Sequence, residues 1–91
     1  MMNKSELDKI LKNLYEGSSF QFKYNGLTYE FYCWNYDIKV SEYSYTVRSS
    51  FQGMNVSKIT DKYIHLYTFD MMNQRTSFKL PIYEIKKIDE K

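Results

Sequence analysis

The chain has 91 residues with thirteen basic and eleven acidic side chains, a net charge of +2, and a hydrophobic fraction of 43% that includes ten tyrosines. That length predicts one domain spanning 1–91, and 19% aromatics with only three glycines and one proline excludes a disordered tail or a low-complexity linker. No apolar run approaches the roughly 20 residues of a membrane span, and no block of like charge exists to track a phosphate backbone.

From the N-terminus, Leu7, Ile10, Leu11, Leu14 and Tyr15 form one apolar stripe at helical spacing, which predicts an amphipathic helix over 5–16. Two caps compete for its start, Ser5 with Asp8 and Asn3 with Glu6, and Gly17 is the expected left-handed terminator. Residues 19–34 then read as a β-hairpin. Asn25-Gly26 suits a two-residue type I′ turn, where both central residues take positive φ. The turn sets Tyr24 opposite Leu27, Phe22 opposite Tyr29 and Phe20 opposite Phe31, so that all six share the core face.

Residues 35–42 are polar and read as a loop. Tyr43, Tyr45 and Val47 alternate with Ser44, Thr46 and Arg48, which predicts a third strand. The stretch 49–57, with Gly53, reads either as a turn or as a bulged continuation. Lys62–Phe69 is rich in β-formers, 70–75 connects, and Thr76–Ile82 is the last expected strand, with Phe78, Leu80 and Ile82 on one face. Pro81 places that strand at a sheet edge or strand end. Ile82, Ile85 and Ile88, at spacing three, predict a closing helical turn. The fold class is therefore α+β: an N-terminal helix followed by about five antiparallel strands in a small barrel or a strongly bent sheet.

The order of parts resembles the Sm-like small β-barrels, the Hfq-like family. The matching pieces are the leading helix that runs into a first strand, the Asn25-Gly26 turn, and the pair Asp61–Leu66 and Phe78–Ile85 as a last hairpin. The resemblance implies a small SH3- or Sm-like barrel, RNA binding and a ring-shaped homo-oligomer. Where the family carries an RNA-contacting histidine this chain has Leu80, so only Lys79 carries over as a phosphate contact. Residues 35–58 have no family counterpart of that length.

The chemistry-bearing residues are few. His65, the only histidine, sits in a strand among aromatics with no orienting carboxylate at local spacing, so a general-base role is disfavoured. Cys33, the only cysteine, lies between Glu30 and Asp37, which would raise its pKa; a buried inert thiol is the stronger reading. A chain without a second cysteine forms no internal disulfide, and the residues from Met1 to Glu6 lack an apolar leader, so the cytoplasm is the expected compartment. One His and one Cys fall short of a zinc set, Gly17, Gly26 and Gly53 are too far apart for a phosphate loop, and neither an enzyme nor a cofactor is expected.

What needs explaining is the aromatic excess. With Ile64 and Leu66 inside, Tyr63, His65, Tyr67 and Phe69 line the outside of a strand, and Tyr32 and Trp34 stand opposite the core face of theirs. Exposed rings serve protein interfaces or stack on bases. The aromatic excess with nearly balanced charge favours a small non-enzymatic regulatory protein that docks on a protein partner through Tyr32, Trp34, Tyr63, His65 and Tyr67. The alternative is an RNA- or ssDNA-binding Sm-like barrel using Lys79, and a homo-oligomer is compatible with either. The abundance of Lys, Asn, Ile, Tyr and Phe without alanine suggests an AT-rich genome, such as a low-GC bacterium or its phage.

Overall fold

A computed structural model describes residues 2–15, 17–33, 45–49 and 53–88. The expected loop at 35–42 and the candidate Trp34 lie outside the described residues.

Helix α1 (Lys4–Lys12) starts at Asn3, whose extended backbone frees its side chain to accept the Glu6 N–H at 2.8 Å. Of the two candidate caps, Asn3 is therefore the one used. The helix ends one turn before the expected 5–16 span does. Ser18 is the physical reason: its Oγ accepts the Tyr15 N–H at 2.8 Å and donates to the Tyr15 carbonyl at 2.7 Å, which draws that backbone into a local turn. Gly17, at φ +86, donates its N–H to the Cys33 carbonyl and steers the chain into the sheet instead of closing the helix. Leu7, Leu11 and Leu14 are buried, whereas Tyr15 leaves the stripe and is exposed.

β1 (Ser19–Tyr24) and β2 (Leu27–Cys33) form the expected hairpin in the expected register, Tyr24 with Leu27, Phe22 with Tyr29 and Phe20 with Phe31. Asn25 and Gly26 take φ of 56° and 80°, the two positive values that a type I′ turn requires. Phe22 and Phe31 are fully buried and Phe20, Tyr24 and Tyr29 half-buried, but Leu27 is 50% exposed. The six-residue core face thus fades toward the turn, where the hairpin outruns the core.

The expected third strand is present as β3 (Tyr45–Arg48), which pairs with β2 and buries Val47; Tyr43 and Ser44, where the alternation begins, lie outside the described residues. The ambiguous stretch resolves into a full strand, β4 (Gly53–Ile59), with a bulge between Val56 and Lys58. Met54 and Val56 point to the core, Ser57 is the extra residue, and inward packing resumes at Ile59. β5 (Tyr63–Phe69) and β6 (Arg75–Pro81) form the next hairpin. A 3₁₀ turn (Ile82–Glu84) then leads to a two-residue strand, β7 (Lys86–Lys87), which pairs with β1. Among the described residues the count is seven strands, not about five; β4 and β7 are the additions.

The sheet order is β6-β5-β4-β3-β2-β1-β7, antiparallel throughout. Chain connectivity requires it to curl. Six spacings of about 4.8 Å would put the outer strands of a flat sheet about 29 Å apart. The chain from Pro81 to Lys86 reaches at most about 18 Å when fully extended, and the 3₁₀ turn shortens it further. The result is a strongly curled half-barrel with α1 over its inner face. Tyr45 Oη donates to the Leu11 carbonyl at 3.2 Å and Lys87 pairs with Glu6, tying the helix to β3 and β7. Leu7, Leu11 and Leu14 join Phe22, Phe31, Val47, Ile64, Leu66, Ile82 and Ile85 in one core. Phe78, expected on one face with Leu80 and Ile82, does share the inner face with Leu80 but is 43% exposed, because among the described residues no strand pairs with the far edge of β6. No described helix is long and apolar enough to cross a membrane.

Candidate functional site

β5 alternates as a strand with one covered face must. Ile64 and Leu66 are buried, while Tyr63, His65 and Tyr67 stand half-buried on the outer face, continued by the exposed Phe69. Register decides what lies beside them. β6 sets Lys79 opposite His65, Ser77 opposite Tyr67 and Arg75 opposite Phe69; β4 sets Lys58 on the other side of His65. The Lys79 ammonium lies 4.6 Å above the Tyr63 ring, and the Arg75 guanidinium lies 4.1 Å above that of Tyr67. Within the row, Tyr63 meets His65 edge-on at 6.3 Å and Tyr67 meets Phe69 at 5.8 Å. The sequences of β4, β5 and β6 contain no Asp or Glu. The outer face of these three strands is an aromatic row flanked by three cations.

Three of the five sequence-derived docking residues, Tyr63, His65 and Tyr67, are therefore brought together, and Lys79 joins them. Tyr32 is not among them. It lies on β2, with β3 and β4 intervening, and its ring is covered by the Arg48 guanidinium at 3.9 Å. Arg48 Nε in turn donates to Glu30 at 2.9 Å, so the surroundings of Tyr32 are charge-balanced. The sequence leaves Lys58 open as one of five lysines that could gather into a basic patch, with Lys23, Lys79, Lys86 and Lys87, and gives no sign of Arg75. Plain alternation puts Lys58 on the same side as Met54 and Val56, and only the bulge turns it outward. Arg75 is assigned by the β5–β6 register, which the connecting turn sets. There the Asp70 carboxylate accepts the N–H groups of Met72 and Gln74, both at 2.9 Å, and Asn73 adopts φ +62.

Burial, then Lys58 and Lys79, hold the His65 imidazole below its ordinary pKa of 6.5. The unfolded chain therefore binds the extra proton first as pH falls. The contribution of His65 to stability is present above about 6.5 and lost as pH falls through the lower folded value. Lys79→Gln is expected to raise the folded midpoint toward the ordinary value, read by NMR titration of the imidazole protons. A midpoint unmoved by that change, or one already above 6.5 in the parent, would contradict the arrangement of lysines around the ring.

Away from this face, a concavity of about 600 Å³ lies where the β1–β2 turn meets the 3₁₀ turn and is lined by Lys23, Tyr24, Tyr83, Glu84 and Lys86. Burial first, and Glu84 next, push the Tyr24 phenol above its ordinary value, so it stays neutral at physiological pH. Cys33 is buried in the core on β2. Among the described residues, no three His, Cys, Asp or Glu side chains gather in a set that could hold a metal ion. No protein-family model, no curated protein and no solved structure matches the chain.

Proposed function

We propose that this is a small non-enzymatic regulatory protein that docks on a protein partner through the outer face of β4–β6. The observation that carries this reading is the half-buried row Tyr63, His65 and Tyr67, set among Lys58, Arg75 and Lys79 on strands that hold no carboxylate. Aromatic rings with arginine are the side chains enriched in protein interfaces. A reducing cytoplasm fits the burial of the single Cys33.

A second reading, an Sm-like barrel that binds single-stranded RNA or DNA, is favoured by the same cations and by the order of helix and curled sheet. The ring geometry weighs against it. Lys79 and Arg75 lie over the faces of Tyr63 and Tyr67, so a base must displace a cation before it can stack. Gel shifts at low salt with random, uridine-rich and adenine-rich single strands separate the two. The docking reading expects weak binding throughout. Tight, salt-sensitive binding that Lys79→Gln reduces would overturn it and establish the second reading. The closed ring implied by the second reading is checked by mass on a sizing column.

A further inference from the structure

β6 is one of the two terminal strands of the sheet, and its residues from Arg75 to Lys79 are all exposed. Among the described residues nothing pairs with its far edge. Such an edge leaves alternate backbone N–H and C=O groups unpaired, a ready template for one more strand. We infer that this edge takes up an extended, acidic segment of the partner by strand addition. Its carboxylates lie opposite Arg75 and Lys79 on the outer face, and an apolar side chain covers Phe78 on the inner face. The inference rests on the protein-docking reading and supplies the chemistry of the partner.

The specification follows from alternation. Arg75 and Lys79 share the outer face, and Phe78 lies on the other, 43% exposed and opposite the buried Leu66. An added strand therefore meets cations on one side and an uncovered aromatic ring on the other. At the end of the edge, the turn anchored by Asp70 presents Met71 and Met72, both almost wholly exposed, as adaptable apolar contacts.

A second copy of this chain is the wrong occupant. Antiparallel pairing of two β6 strands centred on Ser77 sets Arg75 opposite the copy's Lys79, and pairing centred on Phe78 leaves the two Lys79 side chains diagonal neighbours. Like charges so placed are destabilising. A nucleic acid strand would meet the cations but lacks the alternating N–H and C=O groups that would pair along the edge.

The test is a titration of the isotope-labelled protein, followed by its amide NMR signals, with a capped peptide alternating valine and glutamate and as long as β6. Controls are the same residues in block order, the lysine-for-glutamate peptide, and oligouridine. The alternating acidic peptide is expected to shift the Arg75–Lys79 amides and slow their exchange, with the block and lysine peptides about tenfold weaker or worse. The Arg75→Glu/Lys79→Glu variant, with its fold verified by the remaining amide signals, is expected to reverse the preference in favour of the lysine peptide. Shifts confined to Tyr63, His65 and Tyr67, with β6 unmoved, would overturn strand addition and leave the docking reading standing. A response to oligouridine alone would overturn both. Absence of any response at β6 up to millimolar peptide, or β6 protection that grows with protein concentration alone, would also overturn strand addition.

Discussion

Phe22→Ala is expected to cost about 3–5 kcal/mol of stability, the range for truncating a fully buried phenylalanine. Phe22 is 0% exposed and is the ring on which the hairpin core converges: Phe31 lies 5.1 Å away across the tilted pair, Tyr29 5.7 Å away in a near-parallel stack and Phe20 6.4 Å along the strand. It also pairs with Lys87, so β7 rests on the same residue. A domain of this size holds about 5–15 kcal/mol in total, so the variant should be marginally folded. Urea denaturation of parent and variant measures the difference. A loss below about 1 kcal/mol would mean that the cavity refills or that the site is not the centre of packing.

Ile85→Ala is the second large effect, about 2–5 kcal/mol. Ile85 is fully buried where the chain leaves the 3₁₀ turn, and its N–H donates to the Ile82 carbonyl at 3.1 Å. Its burial anchors the short crossing that carries the chain from one edge of the half-barrel to the other. Loss of that anchor should loosen β7 as well, seen as faster amide exchange at Phe22 and Lys23, the β1 partners of β7. Ile88→Ala is the contrast, since Ile88 is 38% exposed and should change stability by no more than about 0.5 kcal/mol. Equal losses at Ile85 and Ile88 would contradict the crossing as described.

The β1–β2 hairpin was legible because two independent signals coincide on it. Asn25-Gly26 fixes the register, and the alternation from Phe20 to Phe31 fixes the face. Where one signal is broken the reading fails. β4 is only half legible: 49–57 admits a bulged continuation beside a turn, and the bulge at Ser57 reverses the parity of everything after Val56, Lys58 included. β7 is two lysines, a strand made by its partner rather than by its own pattern. The helix end was misplaced because Ser18 competes for the backbone of Tyr15, an interaction that apolar spacing does not register.

The candidate site divides in the same way. Ile64 and Leu66 identify the inner face of β5, so the outward positions of Tyr63, His65 and Tyr67 follow from the sequence alone. That Tyr32 belongs elsewhere does not follow, because parity assigns a face and not a neighbour; strand order separates the two groups. The flanking cations are a property of register across three strands, and neither Lys58 nor Arg75 carries a local sign of it. The modest net charge of the whole chain conceals a local excess that only the fold assembles.

Among the described residues β6 is an uncovered edge, with the cationic aromatic face of β4–β6 beside it. Residue-resolved amide hydrogen exchange of the protein alone tests this most directly. Alternate amides across Arg75–Lys79 should exchange rapidly, while those of Ile64, Leu66 and their β5 neighbours stay protected between β4 and β6. Uniform strong protection along β6 in a monomer would mean that its edge is already paired and would exclude strand addition there.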